Sequence, residues 1–130
     1  MSDPEYLSLE DAVSLLRALR VGPIRDVGLL DSALARPMSS AFGDDAYQSI
    51  ELKAAALLHS LVKNHPLVDG NKRLGWLSAT VFLRLNGHRP TLSHDDAFGL
   101  VVNIASGDLA LSDIARRLAV EVDVAAPTRD

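Results

Sequence analysis

Apolar residues recur along this chain at intervals of three and four. No segment alternates apolar and polar positions cleanly while being rich in β-branched residues, so the pattern predicts an all-α fold. Leu9, Val13, Leu16 and Leu19 form one stripe behind Ser8 and Asp11, an acidic version of the capping box, which places a first helix at about Ser8 to Arg20. Gly22 and Pro23 stop it. Val27 to Arg36 reads as a short helix bounded by Pro37, followed by a polar, glycine-containing connection through Gly43 to Asp45. From about Tyr47 to Asn64, the residues Ile50, Ala54, Leu57, Leu58 and Leu61 fall on one helical face. Pro66 ends that helix nearby, because the residue before a proline is pushed out of helical geometry.

The stretch from about Asn71 to Asn86 has a different pattern. Leu74, Trp76, Leu77, Val81, Phe82, Leu83 and Leu85 cover nearly its whole circumference, the mark of a central, buried helix with Trp76 and Phe82 as core aromatics. Gly87 is placed to terminate it. Ser93, with Asp95 and Asp96 in the following turn, starts a further helix to about Ser106. Ser112 starts the last, with Ile114, Leu118 and Val122 on one face, and the tail from Ala125 to Asp130 has little to bury and is expected to fray. The sum is a compact single domain over residues 1–130, a bundle of about six helices, without repeats or linkers.

Composition narrows the function classes. The chain has no cysteine, which excludes disulfides and thiolate metal sites and allows a reducing compartment. Its first residues carry Asp3, Glu5, Glu10 and Asp11 instead of a basic head before an apolar run, and nothing approaches the roughly 20 apolar residues that cross a bilayer. A soluble, cytoplasmic protein is expected, with no membrane partner. A net charge of −4 argues against non-specific binding to nucleic acid, so any basic site is local.

Such a site lies between the two strongest helices, in His65-Pro66-Leu67-Val68-Asp69-Gly70-Asn71-Lys72-Arg73. A helix N-terminus is already positive and favours an acid in its first turn, yet here Lys72 and Arg73 occupy it. An anion completes such an arrangement, and Gly70 permits close backbone approach to a phosphate. His65, a few residues away across a tight loop, is the expected general base, accepting a proton from an attacking hydroxyl. Asp69 supplies a hard oxygen ligand suited to Mg²⁺ beside phosphates. Asn71 would orient the phosphate or the loop, while Lys72 and Arg73 neutralise charge on the transferred group. Taken singly, each residue has a plainer reading: Asp69 as a cap, Gly70 and Asn71 as turn formers, Lys72 and Arg73 as solvated charges. Their combination at fixed spacing arises by chance with a probability on the order of 10⁻⁸.

His65 through Arg73 resembles the signature of the Fic/Doc family: a histidine, an apolar position two later, then an acid, a small residue, asparagine, a glycine or lysine, and arginine. Asp26 to Arg36, with its Leu29-Leu30-Asp31-Ser32-Ala33 core, and Phe82-Leu83-Arg84-Leu85-Asn86-Gly87 also look like Doc proteins. The resemblance implies a compact bundle of about six helices and a growth-arresting toxin. Lys72 stands where AMP-transferring members have a second glycine, and Trp76 stands where they carry a further arginine. Both differences point to the Doc branch, which implies that ATP presents its terminal phosphate and that the reaction is phosphorylation of a threonine on elongation factor Tu. The alternatives are AMP transfer and a catalytically silent helical binding module. The resemblance also implies control by an antitoxin whose C-terminal segment folds into a groove on the toxin. Two positions depart from the pattern: the usual phenylalanine is Leu67, and a polar position four after the arginine is Leu77.

The other candidates carry less. His59 is expected to be packed or capped, and His88 and His94 flank a turn without metal-ligand spacing. Arg25 and Asp26 either edge the mouth of the site or form a local salt bridge.

Overall fold

In the computed structural model, which describes residues 3–123, the chain forms six helices in the order the periodicity predicts. They are α1 (Leu9–Leu19), α2 (Val27–Ala35), α3 (Ile50–Asn64), α4 (Asn71–Leu85), α5 (His94–Ser106) and α6 (Leu111–Leu118). α1 starts with the full capping box: the Asp11 amide donates to Ser8 Oγ at 3.1 Å and the Ser8 amide to Asp11 Oδ2 at 2.9 Å. Asp26, Ser49 and Ser93 cap α2, α3 and α5 in the same way, through side-chain oxygens that accept from Leu29, Leu52 and Asp96. No helix is long and apolar enough to cross a membrane among these residues.

One core cluster runs through the bundle, and α3 and α4 pack along each other at its centre. Gly75 makes that approach close, since a Cβ there would lie 2.9 Å from Val62 Cγ2 and 3.3 Å from Leu58 Cδ1. α4 buries Leu74, Ser78, Ala79, Phe82 and Leu83, as a central helix should, but α3 is buried more completely, from Lys53 to Leu58 without a break. Phe82 is core and stacks on Tyr6 at 5.9 Å between ring centroids. Trp76 is not fully buried in the core: it is half-buried, packs against the core cluster and also lines a cavity shared with residues of α1 and α5.

Four two-residue strands interrupt the all-helical pattern. β1 (Ser40–Ala41) and β2 (Asp44–Asp45) pair antiparallel in the polar connection after a 3-10 turn, Arg36–Met38, with Phe42 and Gly43 at the tip. Lys53 anchors this hairpin from inside the core, donating to Asp45 Oδ2 at 3.1 Å and to the Tyr47 carbonyl. β3 (His88–Arg89) pairs with β4 (Glu121–Val122). The expected extension of the last helix to Val122 therefore fails: α6 stops at Leu118, Ala119 turns left-handed, and Val122 sits 67% exposed in β4. α6 also begins one residue before Ser112, with Ala110 in the cap position and no side-chain cap bond. The expected fraying from Ala125 to Asp130 lies outside the described residues.

Candidate functional site

The loop between α3 and α4 is held from below by the segment that follows α1. The Gly22 amide donates to the Asp69 carbonyl (3.0 Å), the Arg25 and Asp26 amides both donate to the Pro66 carbonyl (2.7 and 3.1 Å), and the Val68 amide donates to the Pro23 carbonyl (2.9 Å). Leu67 is buried at 1% exposure and pairs with Ile24 in an isolated bridge, so the shorter leucine fills its pocket. Arg25 forms no salt bridge among the described residues. Its Nε donates to the His65 carbonyl at 2.8 Å and its Nη2 to the Asn64 carbonyl at 3.2 Å, which supplies donors for the last carbonyls of α3 and holds His65 in its left-handed conformation (φ 51°). Asp26 serves α2 as its cap.

Asn71 fixes the loop from above. Its Oδ1 accepts from the Leu67 amide at 2.9 Å and its Nδ2 donates to the Leu67 carbonyl at 3.0 Å, so of the two roles open to it the side chain takes the one that orients the loop. Nδ2 also lies 3.4 Å from His65 Nδ1, a long contact that turns the ring toward Asn71 without fixing which nitrogen carries the proton.

α4 starts differently from its neighbours. Gly70 is its N-cap, with φ 93°, and neither a side-chain cap nor an acid stands in the first turn. A Cβ at Gly70 would lie 2.3 Å from Val21 Cβ, so the bare backbone is required by packing as well as by dihedral. The amides at this end have no side-chain cap, and the positive end of the helix dipole lies behind them, an arrangement that can accept an anion. Lys72 has no hydrogen bond or ion pair among the described residues, and Arg73 reaches Asp69 only at 3.8 Å, with both side chains exposed.

These residues share one cavity of about 810 Å³. His65, Asp69, Gly70, Asn71, Lys72 and Arg73 supply its polar part, so every residue singled out in the sequence motif is brought together. The apolar part comes from Trp76 and Leu77 of α4, Leu19 of α1, and Ala97, Phe98, Val101 and Val102 of α5. His94, the first residue of α5, lines it too. His94 and Phe98 were invisible as site residues in the sequence, because nothing local to α5 says which helix it faces. The polar part fits a polyphosphate with Mg²⁺. Among the described residues no three His, Cys, Asp or Glu side chains converge on a metal, so Asp69 would be one protein ligand to an ion completed by phosphate and water oxygens.

The Fic/DOC family model matches residues 6–83, which span α1 through most of α4 and include the whole loop. The chain belongs to the Fic/DOC family. It is similar to the protein named Toxin Doc from Mycolicibacterium smegmatis, with 44% identity over 119 residues that cover 88% of this chain and 92% of the relative.

Proposed function

We propose that this protein is the toxin of a toxin–antitoxin pair and a Doc-type kinase, acting in the cytoplasm, that transfers the terminal phosphate of ATP to a threonine hydroxyl of elongation factor Tu. One observation carries the reading: a single cavity brings the His65 imidazole together with a helix N-terminus that has no side-chain cap and no acid, and with Lys72, which has no partner among the described residues. The family membership and the likeness to a protein named as a toxin support the coarser part of it.

In this mechanism His65 takes the proton of the attacking hydroxyl as its oxygen bonds to the terminal phosphorus, the bond from that phosphorus to the bridging oxygen breaks, and ADP leaves. The backbone amides of the first turn of α4, with Lys72 and Arg73, bind the phosphates and offset the charge that builds on the transferred group. Asn71 keeps the loop and the imidazole in place, and Arg25 does so from the other side. Mg²⁺ held by Asp69 and phosphate oxygens would neutralise further charge. The antitoxin's C-terminal segment would restrain the enzyme by folding into a groove on it, for which the apolar part of the cavity around the 72% exposed Phe98 is the suited surface.

The test is the intact mass of elongation factor Tu after incubation with the protein, ATP and Mg²⁺, with His65→Ala in parallel. A gain of one phosphate that disappears in the variant is the expected result. A gain the size of AMP places the protein with the AMP-transferring branch, and no gain contradicts the proposed substrate.

A further inference from the structure

A second cavity, of about 410 Å³, lies between α2 with its 3-10 extension and the C-terminal half of α3, and shares no lining residue with the site described above. Ser32, Arg36, Ser39, His59, Ser60 and Asn64 line it. Each of these six side chains can donate a hydrogen bond, and none is a carboxylate. Arg36 is the one fixed charge among them, and it is half-buried. Its Nε donates to the Tyr47 hydroxyl at 2.9 Å, its Nη1 donates to Ser60 Oγ at 2.8 Å and lies 3.1 Å from His59 Nδ1, and the guanidinium lies 5.5 Å from the centre of the Tyr47 ring. All of these partners are neutral, and among the described residues Nη2 donates to nothing and Arg36 has no ion pair.

A guanidinium can only donate, so His59 Nδ1 accepts from it and the neutral ring carries its proton on Nε2. Burial first, then the charges of Arg36 and Lys63, hold the His59 pKa below the ordinary imidazole value, which keeps the ring neutral. The cavity thus presents the Nη2 donors, an imidazole N–H and serine hydroxyls around a positive charge that has no counter-ion among the described residues. Partly desolvated charges are generally compensated by an opposite one, and a lining that offers a guanidinium, an imidazole N–H and hydroxyls but no carboxylate suits an anionic acceptor.

We propose that this cavity is a binding site for a phosphate-sized oxyanion, held by Arg36 and His59 with the hydroxyls of Ser32 and Ser39 at its rim. Free phosphate and the phosphomonoester of a small metabolite share that chemistry. The proposal stands apart from the transfer reaction.

The experiment follows the histidine ring resonances of the labelled full chain by NMR during titration with inorganic phosphate and, separately, with glycerol phosphate. His59→Gln identifies the His59 signals, and the His65 signals report the other cavity independently. A saturable shift of His59 with either probe, and a rise of its pKa as the anion offsets Arg36 and Lys63, is the expected result. Tighter binding of glycerol phosphate identifies the metabolite as the source. Arg36→Ala risks the fold, because Arg36 ties Tyr47 and Ser60 to the 3-10 turn. Ser32→Glu avoids that: Ser32 is exposed on α2, and the carboxylate installs a resident anion, so the phosphate response falls by roughly tenfold or more. No saturable response, the same response to sodium chloride at matched ionic strength, or an unchanged response in Ser32→Glu overturns the proposal.

Discussion

Two helix N-termini border the main cavity, and they are built in opposite ways. α5 satisfies its own first turn: Ser93 caps it by accepting from the Asp96 amide, and Asp95 and Asp96 balance the dipole. α4 has a glycine cap, no acid in its first turn, and two cations where local stability favours acids. α4 packs extensively along α3, and that burial lets its end carry the unfavourable first turn that the proposed phosphate site uses. The difference sets a self-satisfied helix end beside one that the proposed phosphate site would complete, without reference to any relative.

The comparison can be broken at Gly70 with the largest effect. Gly70→Ala places a Cβ at 2.3 Å from Val21 Cβ on a backbone with φ 93°, and thermal or urea unfolding should show a loss of about 3 kcal/mol. Lys72→Glu makes the start of α4 resemble that of α5. Calorimetry should find ATP affinity reduced about 100-fold, while unfolding shows stability unchanged or a few tenths of a kcal/mol higher. Arg25→Ala removes the donors to the His65 and Asn64 carbonyls; the transfer rate should fall about tenfold with ATP affinity retained, because the base loses its fixed position and the phosphate site does not. Ser93→Ala weakens the other helix end, at a cost of about 1 kcal/mol in unfolding and none in ATP affinity.

The smallest effect is one of pH. The folded-state pKa of His59 is lowered, so the unfolded chain binds its proton first as the solution is acidified. Stability is full above the ordinary imidazole value and is lost as pH falls from there through the lowered one. Melting temperatures measured across that range should decline less steeply in His59→Gln.

The helices and the motif were legible because their signals are local. A proline stops α3, a glycine opens α4, and the reactive residues between them are neighbours in the chain, so one turn gathers them. The rest of the site was not legible. Arg25 meets the His65 carbonyl across 40 positions, and its choice of carbonyls over a carboxylate depends on how α3 ends. Trp76 has the spacing of a core residue, and only the placement of α5 leaves it facing a cavity. The hairpin at Ser40–Asp45 lacks β-branched residues, and it forms because Lys53, a buried lysine inside an apolar run, holds its base. Val122 kept helical spacing with Leu118, but the left-handed Ala119 between them ends the helix.

The central claim is that the open start of α4 binds the phosphates of ATP. Titration calorimetry with ATP and Mg²⁺ on the unmodified chain, Lys72→Glu and Ser93→Ala tests it most directly. Saturable binding to the unmodified chain and to Ser93→Ala, nearly lost in Lys72→Glu, is the predicted result. Equal affinity in all three, or no binding to the unmodified chain, contradicts it.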